Sequence, residues 1–247
     1  MSGYEKRRAA FRASKGKYSG SKRAAAVSSR RTVEEIKRIA YSTAETKHEG
    51  TTFTNDLDVP TLQLLNGVAQ GDTGTTRDGN RITMSSIEIR GNAYPGISTD
   101  DINRGVLVIV LDRQPNGLAP NLGEIYDVSS GTIDPVIALR NDRFLERYKI
   151  LYREDFVLGF KANTGGGGTW YPPGEKAVHM IHKYIDLTKV LKEKDRLVRY
   201  SASTTNVSGI QTNSIYALTF PSNQSDLSSG TDFAKINCNV KLNFKDL

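Results

Sequence analysis

Over the last stretch of the chain, Ala234, Ile236, Cys238, Val240, Leu242 and Phe244 alternate with Lys235, Asn237, Asn239, Lys241, Asn243 and Lys245. A period of two sends successive side chains to opposite faces, so this segment predicts a long strand with one apolar face and one polar, basic face. The same period assigns Cys238 to the core rather than to a reactive site. Further strands are predicted over 47–53, 81–94, 105–112, 147–159, 177–187, 197–201 and 214–220. Within 81–94, Ile82 and Met84 share one parity while Ile87 and Ile89 share the other, and a bulge near Ser85-Ser86 reconciles them. Val106–Leu111 is continuously apolar, as in a strand covered on both faces.

One segment departs from this pattern. Thr32-Val-Glu-Glu35 has the form of a capping box, and Val33, Ile36, Ile39, Ala40 and Ala44 follow at helical spacing. It predicts one short helix over 33–45. Turn signals separate the strands at Asp78-Gly79-Asn80, Pro115-Asn116-Gly117, Gly165–Gly168 and Pro172-Pro173. About eight strands with long loops and no alternating helices point to an antiparallel β-sandwich, not a parallel α/β fold. Its expected core is Ile82, Met84, Ile87, Ile89, Val108, Val110, Ile150, Ile215, Ile236, Val240 and Leu242.

Charge changes the picture at the N-terminus. Lys6, Arg7, Arg8, Arg12, Lys15, Lys17, Lys22, Arg23, Arg30 and Arg31 stand against the single acid Glu5, giving +9 over residues 1–31. The whole chain carries +7, so residues 32–247 carry −2. The intervening Ser, Gly and Ala bury too little apolar surface to fold alone. A basic arm on a nearly neutral body attracts a polyanion without reading sequence, since each cation neutralises a phosphate and releases counterions. Lys37 and Arg38 extend the candidate nucleic-acid-binding set, with an ordinary solvated helix face as the equal alternative. Lys6-Arg7-Arg8 and Lys22-Arg23 also suit a nuclear-import signal. Tyr4, Phe11 and Tyr18 recur every seven residues and suit either stacking on unpaired bases or packing beneath a shell.

The division expected is an arm and helix over 1–46 and one shell domain over 47–247. No apolar run approaches the roughly 18 residues of a membrane span, so no membrane partner is expected. The lone Cys238 cannot form an internal disulfide, which favours synthesis in a reducing compartment and leaves the sequons at Asn206 and Asn223 unused. Candidate chemistry is sparse. His179 and His182 fall on opposite faces of a strand, His48 stands alone, and Gly165–Gly168 lacks the lysine and helix of a phosphate cradle. No enzyme is expected, and no cofactor. Asp56, Asp58, Asp100 and Asp101 are candidate carboxylates for a calcium ion between subunits, although loop acids are ordinarily solvated.

Several segments in order carry a resemblance: Glu45–Glu49 after the arm and helix, Leu65–Asp72, Arg77–Ile82, Ser86–Gly91, Val108–Arg113 and Arg147–Tyr152. They resemble the single-jelly-roll capsid proteins of satellite necrosis RNA viruses and of circular single-stranded DNA viruses of the circovirus-like group. The resemblance is best over 34–159, and the chain's length tilts it toward the DNA-virus group. It implies an eight-stranded antiparallel jelly roll, a T=1 shell of about sixty copies, an interior arm touching a single-stranded DNA or RNA genome, and location in the virion with a host-nuclear stage. About sixty arms would bring roughly 540 positive charges to several hundred phosphates. Loops over 112–144 and 159–173 are expected at subunit contacts or on the outer surface. The rival reading is a cellular single-stranded nucleic-acid-binding protein with a β-barrel body. Such a body should group basic and aromatic residues on its strands, and no such grouping stands out along this chain.

Overall fold

A computed structural model describes residues 32–33, 35–36, 39, 44–95, 103–128, 134–158, 162–164, 168–170, 178–201, 203, 205–222 and 234–246. The chain divides into two units, Met1–Ala44 and Glu45–Leu247. In the first, the described residues Thr32, Val33, Glu35, Ile36 and Ile39 are helical. Ala44 and Glu45 are not, so the helix stops short of the expected end.

Among its described residues the second unit carries twelve strands: β1 (Thr46–Asp56), β2 (Thr61–Leu64), β3 (Arg81–Tyr94), β4 (Asn103–Asp112), β5 (Tyr148–Leu158), β6 (Ala162–Thr164), β7 (Gly168–Trp170), β8 (His179–Asp186), β9 (Leu197–Tyr200), β10 (Ile210–Thr212), β11 (Ser214–Pro221) and β12 (Lys235–Asp246). One sheet runs β1-β12-β3-β9-β10, with β8 also pairing β3. The other runs β2-β11-β4-β5, and β6 pairs with β7. All these pairings are antiparallel. The sandwich is therefore as expected, with four short strands, β2, β6, β7 and β10, that the pattern of residues did not announce. Each spans only three or four residues, too few for a period of two to declare itself.

The C-terminal alternation becomes the centre of the first sheet. β12 lies between β1 and β3, and Ile236, Cys238, Val240, Leu242 and Phe244 all enter the core between the sheets. The bulge falls where parity demanded it. Asn243 faces Ser86 and Phe244 faces Met84, so Ser85 is the extra residue, and Ile82, Met84, Ile87 and Ile89 all point inward.

The core differs from expectation in one respect. Val108 and Val110 are fully buried, but on the far face of the second sheet. Leu107, Ile109 and Leu111 face the first sheet instead. The far face is covered by the connection between β4 and β5, which lays Leu122, Ile125, Tyr126 and Ala138 over Val106, Val108, Val110, Tyr216, Leu218 and Phe220, with Ile150 half-buried at its margin. That cover explains why β4 and β11 are apolar without interruption, since neither of their faces meets water. Asn121 caps the short helix Leu122–Ile125 by accepting from the Glu124 amide, and the Asp127 amide donates to the Leu139 carbonyl, so the described residues of this connection form a hydrogen-bonded lid.

Candidate nucleic-acid interface

The expected binding residues Lys6, Arg7, Arg8, Arg12, Lys15, Lys17, Lys22, Arg23, Arg30, Arg31, Lys37 and Arg38 all lie outside the described residues. What the structure does show is the end of the body where the chain joins it. β1 starts at Thr46 opposite Lys245, and the next residue, Lys47, turns inward and is buried. Its Nζ lies 2.6 Å from Asp78 Oδ1, 3.4 Å from Asp246 Oδ2 and 3.7 Å from Glu45 Oε2. Asp246 Oδ2 also accepts from the Asp78 amide at 2.6 Å. Burial works against the charge on Lys47, but hydrogen bonds to Asp78 and Asp246 and their negative charges outweigh it and hold the ammonium above its ordinary pKa.

Beside this cluster, Arg77 is fully buried. Its Nε donates to the Val68 carbonyl at 3.1 Å, its Nη1 to the Gly79 carbonyl and to Asn80 Oδ1, and its guanidinium lies 4.1 Å from the Tyr200 ring centre. Arg77 is thus the internal post around which residues 66–80 fold. The His48 amide donates to the Gly74 carbonyl, tying the same loop to β1. Together Lys47 and Arg77 brace the point where the chain enters the body. Neither residue was a candidate from sequence, because no local pattern marks a single cation as buried.

The face of the first sheet that points away from the core is polar across its width. The outward residues of β12, Asn239 and Lys241, stand opposite Arg90 and Glu88, which in turn stand opposite His182 and Tyr184 of β8. Several cations here are already paired: Arg90 with Glu88 at 2.7 Å and Lys235 with Asp56 at 3.5 Å. At the end near Thr46 the pairing differs. Arg81 of β3 stands directly opposite Arg199 of β9, and both are exposed. The body therefore does group cations on its strands, from segments 118 positions apart in the chain.

The remaining candidates take ordinary places. His179 turns inward, its Nε2 2.8 Å from Glu154 Oε1 and its ring stacked on Phe156, while His182 is exposed on the other face. His48 is exposed on β1. Asp56 pairs with Lys235, and Asp58 accepts from the Val59 amide. Asp100 and Asp101 lie outside the described residues. Among the described residues no three His, Cys, Asp or Glu side chains gather as a metal site. Burial pushes the Cys238 thiol up to about 12, which leaves no thiolate at neutral pH. No helix among the described residues is long and apolar enough to cross a membrane.

The fold is an antiparallel β-sandwich, and the sequence segregates its positive charge in the N-terminal segment. The family model for the geminivirus coat protein/nuclear export factor BR1 family matches residues 2–246, and the chain belongs to that family. A capsid-type structural role, oligomeric assembly and a place in the virion follow from the membership. The match supports the coat-protein class of the resemblance without singling out the satellite necrosis or circovirus-like group. Among curated proteins none matches the chain. A solved structure of Desmodium yellow mottle tymovirus is similar at TM-score 0.35 and 8% identity, covering 82% of this chain and 88% of that one. The sandwich rests on the strand order above and not on that likeness.

Proposed function

We propose that the chain is a capsid protein that assembles into a small icosahedral shell of about sixty copies and packages single-stranded nucleic acid, DNA or RNA, through its basic N-terminal arm. The observation that carries this reading is the segregation of charge, +9 in residues 1–31 against −2 in the rest. A nearly neutral body limits repulsion between packed copies, while a cationic arm couples closure of the shell to the genome. The order of the eight principal strands supports a jelly roll: numbered one to eight without β6, β7, β9 and β10, the two sheets read 1-8-3-6 and 2-7-4-5. Lys6, Arg7, Arg8, Arg12, Lys15, Lys17, Lys22, Arg23, Arg30 and Arg31 bind phosphates with little regard to sequence, since a Gly/Ser/Ala-rich chain lacks the fixed geometry of base-edge readout. Lys37 and Arg38 extend that surface, and the two basic clusters of the arm serve a host-nuclear stage of assembly.

The test is a comparison of nuclease-treated particles from the full chain and from a chain lacking Met1–Arg31. Negative-stain microscopy is expected to show uniform small spheres for the full chain. Its ratio of absorbance at 260 to 280 nm should report packaged nucleic acid, and the deletion should give empty particles or none. Deletion particles carrying as much nucleic acid as the full chain would show that the arm is not the genome-binding element.

A further inference from the structure

Arg81 and Arg199 are placed as no self-contained protein needs them. They are direct partners in the antiparallel pairing of β3 with β9, flanked by the inward pair Ile82 and Val198 and exposed on the outward face. Directly opposed side chains on adjacent strands have Cβ atoms about 4.5–5.5 Å apart, where like charges repel. Elsewhere on this face Arg90 is answered by Glu88 and Lys235 by Asp56. Arg81 and Arg199 are not: among the described residues neither guanidinium makes an ion pair or a side-chain hydrogen bond. The residue paired with Arg199 on its other side is Thr212 of β10. The nearest carboxylate in the register, Asp246 opposite Ile82, is buried and engaged by Lys47.

We infer that Arg81 and Arg199 form a phosphate clamp on the capsid body, filled by the sugar–phosphate backbone of the single-stranded nucleic acid that the arm recruits. This rests on the nucleic-acid-binding reading above and extends it from the arm to a fixed site on the sheet. Two guanidinium forks facing one another across a strand pair match the oxygens of one or two adjacent phosphates, and the phosphate charge removes the repulsion between them. The position also suits the occupant. Arg81 lies at the end of the sheet where β1 begins, and β1 is the strand joined covalently to the basic segment. An extended backbone with regularly spaced anions fits an open sheet face better than a compact ligand, which would require a pocket.

The experiment uses the full chain as wild type, Arg81→Gln, Arg199→Gln, the double Gln variant and the double Lys variant. Binding of a fluorescein-labelled oligothymidylate to unassembled subunits is followed by anisotropy across a salt series, and each protein is also melted without nucleic acid. The double Gln variant should bind about tenfold more weakly at low salt, with a slope of log K against log salt shallower by about 0.7 for each phosphate lost. Without nucleic acid it should melt no lower than wild type, because a repulsive pair has been removed, and the double Lys variant should keep most of the affinity. Wild type that binds no oligothymidylate would overturn the nucleic-acid reading itself. Wild type that binds and a double Gln variant with unchanged affinity and slope would overturn the clamp alone. Unchanged binding with loss of particle assembly would place an acidic face of a second copy on the pair, and also overturns it. A double Gln variant that melts lower than wild type would show a pair satisfied within the fold, against the inference.

Discussion

Replacing Arg77 with Met removes the post on which residues 66–80 are folded. The side chain is fully buried and of similar length, so the change strips out donors while leaving most of the volume. The Val68 and Gly79 carbonyls lose their guanidinium partner, and stranding the buried Val68 acceptor costs about 1–3 kcal/mol, the half-buried Gly79 carbonyl less. Asn80 is exposed and finds water, so it adds little. Loss of the guanidinium from the face of Tyr200 adds about 1–2 kcal/mol. Against this stands the desolvation of the buried cation, which pushes the Arg77 pKa down and is relieved in the variant. The balance is a destabilisation of about 3 kcal/mol, and at roughly 2–4 °C per kcal/mol for a chain of this size the melting point should fall by about 6–12 °C. The assay is thermal unfolding followed by near-ultraviolet circular dichroism, with Arg77→Lys alongside. Lysine restores the charge but not the fork, so it should fall between wild type and Met. An Arg77→Met protein melting within about 2 °C of wild type would refute the reasoning, since a donor set that can be deleted freely holds nothing in place.

Three further outcomes follow from the same structure. Val240 is 1% exposed in the centre of the first sheet, and Val240→Asp, which buries an unpaired carboxylate at a cost of several kcal/mol, should give insoluble protein and no particles; soluble, assembled protein would contradict the core assignment. Lys47→Met should lower the melting point at neutral pH. Because the native Lys47 pKa is raised, the contribution of its charge is whole below the ordinary value of 10.5 and is lost as pH rises through the native value, so wild type and variant should converge in strong alkali, and a gap that is constant with pH would refute the ion cluster. Cys238, buried and with its pKa pushed up to about 12, should resist thiol reagents in the native protein and react once on denaturation, with rapid native labelling counting against its place in the core.

The sequence by itself determined the strands whose pattern is long enough to repeat. β12 was legible because six apolar positions alternate without a break, and β3 because a change of parity marks its bulge; both follow from the fixed two-residue period of an extended backbone. The basic arm was legible because charge sums along the chain need no structure. Tertiary structure decided everything that depends on pairing between distant segments. Alternation said that Val108 and Val110 share a face but not which face meets the other sheet, and only the lid from the β4–β5 connection resolves that. No local pattern marks Lys47 and Arg77 as buried, and folding carries them inward to Asp78, Asp246 and Tyr200. Arg81 and Arg199 stand in unremarkable local surroundings, and it is the register of β3 with β9 that sets one charge against the other. Register is a property of two strands at once, so no local pattern in either could have declared it.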